Sequence, residues 1–554
     1  MIPQKNLYTQ FDWRDPICVS HYPFPEKKAP FELSSLLELN KKNSDKAFRA
    51  FYIHVPFCET ICSFCPFNKM KKSEPVVVKY LSAIKNEIDL YSSAEFIRSS
   101  VFGSIYLGGG TPTCLSKDQL VGIISHLKNK ICVHPDAQIT VEGNPTSSST
   151  EKLAALFDVG VNRVSFGVQT FSEKFAKTLQ LSHSPNQAIQ VIESAYTVGF
   201  KNVCIDLLYN LPGQSSSEWQ EDVQKAIGLN LDHITIFSLC LVPGTKLEKA
   251  VTNGQLSAPG DQNEEIDKFI LARDLLRKAG YVQYSVWDFA KPDKIDQHVE
   301  IYYHQQGNLV GTGPAAFGYI NNYMYINRGD VHKYCAQIKN GQLPILVGEK
   351  ASREEQMRGM MAKGLRLYSV NRSHFKKMFD QYPEEVFPKE IKQLVDDGLV
   401  TIDGDLIKLT DDGGVWGNNV SKTFFKKPET FEWRASLAKG REPIFEDDDP
   451  IVADLLEKVK WEDGVETIFE WILERKPIFI RNKSRKEITR LAIISAFENG
   501  RMAISEEDLI FSTIKETPAP FRPVAIAGFR KQGINVDKYL SKTFLTSTLA
   551  HSGR

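Results

Sequence analysis

The stretch FYIHVPFCETICSFC, residues 51–65, reads as a short β-strand running straight into a loop that carries three thiols. Phe51–Val55 is aromatic, β-branched or apolar at most positions, the composition that suits a pleated, half-buried backbone. Cys58, Cys62 and Cys65 then follow with C-x3-C-x2-C spacing. A 4Fe–4S cluster takes four thiolates, one per iron. Three on one loop leave one iron open, as catalytic metal sites leave a position open for substrate. A structural zinc site is the competing reading, but it calls for a fourth Cys or His and paired C-x2-C spacing. His54 is a candidate fourth ligand, yet it alternates with Tyr52 along the strand and is expected to face the interior.

Outward from this strand, short β-rich runs alternate with longer helical patterns as far as residue 290. Candidate strands are Phe51–Val55, Ser104–Leu107, Gln138–Glu142, Arg163–Val168, Asn202–Leu207 and His233–Phe237. Helical periodicity covers Val77–Tyr91, Lys117–Lys128, Thr150–Val159, Pro185–Val198 and Ser216–Gly228. Strands each followed by a helix predict parallel βα units, and their spacing predicts an α/β fold, a partial (β/α)6 barrel over residues 49–295. Chemistry in such folds gathers at the carboxyl ends of the strands. Here those ends carry the cysteine loop and the run YLGGGTPT (106–113). They also carry one polar residue in each of VEGNP (141–145), FGVQTF (166–171) and IDLLYNLPGQ (205–214): Glu142, Gln169 and Asp206. Gly109 and Gly110 let backbone approach a ligand closely, Thr111 adds a hydroxyl and Pro112 fixes the turn. A lone acid at a strand end is often a helix cap. Three converging on one rim are better explained by a polar ligand such as a ribose or an ammonium group.

Of 554 residues, 42% are hydrophobic and 25% charged, with zero formal net charge, so no global field draws the chain to nucleic acid or an anionic membrane. No apolar run reaches the roughly 18 residues of a membrane span, and the N-terminus lacks the basic and apolar regions of a secretory signal. A cytoplasmic protein is expected. Nine cysteines, three clustered and the rest scattered, argue for metal ligands plus buried small hydrophobes, not for a disulfide framework.

The pattern changes after Pro292. Residues 1–48 form an N-terminal extension, and 296–425 a substrate-side extension, Gly- and Tyr-rich at first, ending in a winged-helix-like helical cap with a hairpin in LVTIDGDLIKLT (399–410). The charged, Pro-punctuated stretch 426–450 reads as a linker, 451–515 as a small helical domain, and 516–554 as a loosely structured tail.

Together the motifs resemble the oxygen-independent coproporphyrinogen III oxidase family of radical S-adenosylmethionine (SAM) enzymes, over residues 50 to 420. YSVWDFA (284–290) and GTGPAAFG (311–318) belong to the same resemblance. It implies a radical SAM barrel, a 4Fe–4S cluster on Cys58, Cys62 and Cys65, and SAM on its open iron. Tyr52 would contact that SAM, Phe64 would pack beside its adenine, and Gly109, Gly110, Thr111, Glu142, Gln169 and Asp206 would hold its methionine and ribose parts. Some members bind a second SAM, near which Phe67 and Cys240 would fall. A low-potential electron donor of flavodoxin or ferredoxin type is implied, as is a tetrapyrrole or other flat aromatic substrate.

Two departures stand out. The oxidase carries a cysteine where this chain has Phe67, and a SAM-contacting arginine is replaced by Leu181. The runs SLCLVPGTKL (238–247) and DDGGVWGNNV (411–420) look more like class C methyltransferases, which use two SAM molecules, and anaerobic haem-opening enzymes. A two-SAM C-methylation is therefore the leading expectation, with oxidative decarboxylation and haem delivery as a chaperone as alternatives. Residues 471–509 resemble a small helical domain of light-independent protochlorophyllide reductases. Arg481, Lys483, Arg485, Lys486 and Arg490 within it are expected to be a solvated face, not a nucleic-acid surface.

Overall fold

The computed structural model describes residues 45–242, 244–304, 307–426, 460–476, 478–498, 503–517 and 522–536, with short N-terminal stretches including 13–16, 21–25 and 37–43. These fall into two compact units that part after Lys426. Most of the expected linker, 427–450, lies outside the described residues.

The first unit is built on six βα units. Strands β1 (Arg49–Val55), β2 (Val101–Gly109), β3 (Cys132–Gly143), β4 (Arg163–Gln169), β5 (Val203–Tyr209) and β6 (His233–Ser238) pair in parallel in chain order. Between them run α1 (Glu74–Ser92), α2 (Lys117–Lys130), α3 (Thr150–Asp158), α4 (Pro185–Val198) and, before β6, α5 (Ser216–Gly228). Their starts are chemically marked. Ser116, Ser184 and Ser215 each close a capping box with a Gln or Glu three residues on, satisfying two orphan amides at once. Helices cover the outer face of the sheet with Ile84, Ile88, Ile123, Leu127, Leu156 and Ile192, all buried in one core with the strands.

The sheet extends further than the six units. Beyond β6 it gains short antiparallel strands β7 (Val282–Gln283) and β8 (Asp288–Ala290). On the other edge β9 (Leu309–Thr312) pairs in parallel with β1, followed by antiparallel β10 (Phe317–Ile320), β11 (Tyr323–Asn327) and, after α6 (Val331–Lys339), β12 (Ile345–Lys350). The Gly- and Tyr-rich segment thus makes four strands of a twelve-stranded sheet, which periodicity did not reveal. Its glycines are spaces for tyrosines. A Cβ at Gly318 would lie 1.9 Å from the Tyr325 ring, and one at Gly348 2.5 Å from that of Tyr323.

Next come α7 (Arg353–Arg366) and a three-stranded sheet that contains the expected hairpin as Val400–Asp403 and Leu406–Leu409. The N-terminal extension is pinned between barrel and cap: Arg14 donates to Tyr209 Oη (3.0 Å) and the Val415 carbonyl (2.7 Å), and Lys422 pairs with Asp15 at 2.7 Å.

The second unit holds helices Val465–Glu474, Ile478–Glu498, Glu506–Glu516 and Arg522–Lys531 around Phe469, Leu473, Ile488, Leu509 and Phe529. The last of these helices corrects the expected tail, because Phe529 and Val536 are buried in this core. Arg485 turns inward to Glu470 with a bidentate pair, and Arg481 donates to the Glu474 and Lys476 carbonyls. The side chains of Lys483, Lys486 and Arg490 lie outside the described residues. Among the described residues, no helix is long and apolar enough to cross a membrane.

Candidate active site at the carboxyl rim of the barrel

Along β1 and β5 the burial pattern is the same: three buried residues, one half-buried, three buried. The half-buried residues are Tyr52 and Asp206. On β2 and β3, Tyr106 and Glu142 are likewise half-buried between buried neighbours. A side chain that water reaches in mid-strand, when strand neighbours are sealed, faces an open lumen. Period-two alternation therefore aims the predicted polar residues inward.

Inside that lumen the contacts are specific. Glu142 accepts from Tyr106 Oη at 2.8 Å and from the Gly109 amide at 3.1 Å. Asp206 sits in the middle of β5 with Glu142 and Asp288 in electrostatic reach. Desolvation first, then repulsion from Glu142, pushes its carboxyl up to about 8, and the lumen water that reaches its edge moderates that shift. Gln169 ends β4 at φ +69°, a left-handed conformation that costs a non-glycine residue energy.

The cysteine loop leaves the end of β1 and is tied across the rim. Ser63 donates from Oγ to the Leu179 carbonyl at 2.7 Å and accepts from the Leu247 amide at 3.0 Å. Lys69 donates to the carbonyls of Cys65 (2.6 Å) and Phe67 (3.0 Å). The glycine run supports this loop directly. The Gly110 amide donates to Val55 and the Thr111 amide to Phe57, both at 2.8 Å, and a Cβ at Gly110 would stand 2.7 Å from the Phe57 carbonyl oxygen. With the Gly109, Gly110 and Thr111 amides all given to protein acceptors and the Thr111 carbonyl accepting from the Cys114 amide at 2.9 Å, this turn offers a ligand the carbonyls of Gly109 and Gly110. Those suit an ammonium donor.

Thr111 Oγ1 lies 3.5 Å from Cys58 Sγ. Burial, joined by repulsion among the three sulfurs, pushes the Cys62 thiol up to about 12, and burial raises Cys58 and Cys65 as well. With their pKa values raised, the three stay protonated thiols on their own, and a bound cationic metal centre would be what draws them to thiolates. Among the described residues, no three His, Cys, Asp or Glu side chains converge as ligands of a single metal ion do. His54 is no fourth ligand: Nδ1 meets Tyr52 Oη at 3.1 Å and Nε2 the Asn68 carbonyl at 3.0 Å.

Phe64 packs with Leu181, Leu239 and Leu241 against Phe175, Leu179 and Leu208. Cys240 is half-buried beside them after β6, while Phe67 is 60% exposed. Some lumen groups escaped the sequence reading. Arg163 pairs with Asp296 at 3.2 Å, and His233 lies 2.6 Å from Tyr284 Oη and 2.9 Å from Cys204 Sγ. Arg163 and His233 each open a strand directly after another polar residue, Asn162 or Asp232, with no spacing to announce a site. A shallow cavity of about 520 Å³, lined by Phe48, His134, Asn202 and Gln297 among others, opens at the amino ends of the strands and holds none of these groups.

Comparison with known proteins agrees with this fold. The Radical SAM superfamily profile covers residues 52–226, and the HemN C-terminal domain profile residues 351–416. Heme chaperone HemW of Bacillus subtilis (strain 168) is 31% identical over 378 residues, 68% of this chain and 99% of its own length. Anaerobilin synthase of Escherichia coli O157:H7 is 28% identical over 69% of this chain and 85% of its own. The structure of coproporphyrinogen III oxidase (HemN) from Escherichia coli, a radical SAM enzyme, shares the fold with a TM-score of 0.64. At 23% identity it covers 73% of this chain and 95% of that one.

Proposed function

The chain belongs to the oxygen-independent coproporphyrinogen III oxidase-like family of radical SAM proteins, and from that premise we propose that it uses two SAM molecules to C-methylate a tetrapyrrole. Membership brings a 4Fe–4S cluster and SAM. Bound together, they supply one-electron cleavage of SAM, chemistry that belongs to the cofactor and not to the side chains. The chain's part is to bind, orient and keep water out. Cys58, Cys62 and Cys65 would hold the cluster. The carbonyls of Gly109 and Gly110 would receive an ammonium, Glu142 and Asp206 would take hydroxyl or ammonium donors, and Phe64 would cover a flat base.

One observation carries the preference for methylation over decarboxylation. Where the oxidase pattern has a thiol and a guanidinium, this chain has Phe67, exposed on the rim, and Leu181, packed into the apolar cluster beside Phe64. Neither can ligate, transfer a proton or hold a carboxylate, so that wall is rebuilt as apolar surface. Phe67 and Cys240 would border the second SAM. The likeness to anaerobilin synthase supports a tetrapyrrole substrate.

The anaerobic, reconstituted enzyme with SAM, dithionite and a porphyrin should form S-adenosylhomocysteine together with 5′-deoxyadenosine, seen by mass spectrometry. Deoxyadenosine without S-adenosylhomocysteine would exclude methyl transfer, and carbon dioxide release from coproporphyrinogen III would put the oxidase reaction in its place. A second reading, haem delivery, is favoured by the identity to HemW over nearly all of that protein. Stable haem binding with no SAM turnover would establish it.

A further inference from the structure

Helix α7 buries two cations one turn apart, Lys363 and Arg366. Arg366 lies 4.1 Å above the Tyr303 ring and 5.0 Å from that of Trp287, with Asp288 as its charge partner. Lys363 is different. Only 1% exposed, its ammonium hangs between the rings of Tyr302 (4.7 Å) and Tyr319 (4.9 Å), with no carboxylate in ion-pair distance among the described residues. Burial alone lowers its pKa to about 7, and no neighbouring charge contributes. The helix C-terminus favours a cation here but provides no counter-charge. A buried lysine is rarely left without an acid unless something else brings one.

The surroundings indicate what that is. Tyr302, Tyr303 and Tyr319 form one aromatic cluster against which Tyr52 of the lumen packs, and Tyr303 lies close enough to Tyr52 to perturb it. His21 closes one side, stacked on Phe317 at 3.9 Å with Nδ1 3.2 Å from Tyr302 Oη. An aromatic wall with an uncompensated cation behind it, adjoining the SAM lumen, suits a flat conjugated molecule that carries a carboxylate.

We propose that Lys363 anchors a carboxylate of the substrate, drawing its edge against the Tyr302–Tyr319 wall while Tyr52 faces the reacting end. This rests on the tetrapyrrole reading above. The test uses the full-length chain, titrated with protoporphyrin IX and with its dimethyl ester, whose carboxylates are capped, and followed by tryptophan fluorescence. The wild type should prefer the diacid by about tenfold, the scale of one charge-assisted contact. Lys363→Met should abolish that preference without weakening ester binding, and Lys363→Arg should keep most of it. A melting temperature for Lys363→Met at or above the wild type's would show the variant folded, since Met removes a buried charge. Should Met fail to fold, Lys363→Gln serves in the same titration.

An unchanged preference in the neutral variant, or equal binding of diacid and ester by the wild type, would overturn the anchor and leave the tetrapyrrole reading standing. If neither porphyrin binds the wild type, the substrate class falls, and the anchor with it.

Discussion

Glu87 and Asp206 lie on opposite faces of the same sheet, and the chain treats them differently. Glu87, on α1 outside the barrel, is wholly buried but completed. The Gly313 amide donates to it at 2.8 Å, Asn327 Nδ2 at 2.8 Å and Tyr334 Oη at 2.6 Å, clamping the β9–β11 extension and α6 to the helix layer. Asp206, inside the barrel, lies beside Thr235, whose hydroxyl donates to Asp288 at 2.9 Å, and has Glu142 as a repelling neighbour. The three thiols and Lys363 share its condition. A buried charge whose bonds the chain completes is structural, and one left short is poised for something the chain does not supply.

The sharpest way to break this contrast is at the cluster. Cys62→Ala should abolish the brown absorbance and all SAM cleavage together while thermal unfolding of the apo-protein stays unchanged. Retained turnover would refute the ligand assignment. Next in size, Glu87→Ala leaves the Gly313 amide and Tyr334 Oη without an acceptor and Asn327 Nδ2 with the Gly313 carbonyl alone, and should cost about 3–5 kcal/mol in urea unfolding. SAM affinity of the folded fraction should hold; a variant that kept its stability and lost SAM would reverse the roles assigned to the two faces.

The smallest effect is a pH slope. The folded-state pKa of Asp206 is raised from 3.8 to about 8, so between those values the folded state keeps a proton that the unfolded chain has lost. Its contribution is present in full below pH 4 and declines as pH rises toward 8, by on the order of 1–2 kcal/mol once lumen water is allowed for. Asp206→Asn should flatten that decline. Equal slopes in wild type and variant would mean that the lumen hydrates this group as bulk water does.

Much of the first unit is legible in the sequence because its periodicities are strong. Pro185–Val198 and Ser216–Gly228 run as helices between the expected ends, where capping boxes set the starts. Glu142, Gln169 and Asp206 stand out in the sequence because a polar residue in an apolar strand is conspicuous, although β5 runs on to Tyr209 and puts Asp206 at its middle and not, as expected, at its end. The extension from Leu309 to Lys350 does not, since short strands buried on both faces lack alternation, and glycines such as Gly311 and Gly318 are depleted in strands. In place, a Cβ at Gly311 would lie 1.8 Å from the Phe317 carbonyl. The glycine run was expected to present its backbone to a ligand, yet its amides brace the cysteine loop.

By itself the sequence determined the strand-and-loop that carries three thiols, the order of the βα units and the polar residues on their strands. These depend on spacing along the chain and on side-chain chemistry, both local. Only the tertiary structure decided that His54 serves Tyr52 and Asn68 and not a metal, that Glu87 is satisfied, and that Lys363 is not. For Glu87 the partners lie up to 247 residues away in the chain, and whether a buried charge has such a partner is a property of packing that no local pattern encodes.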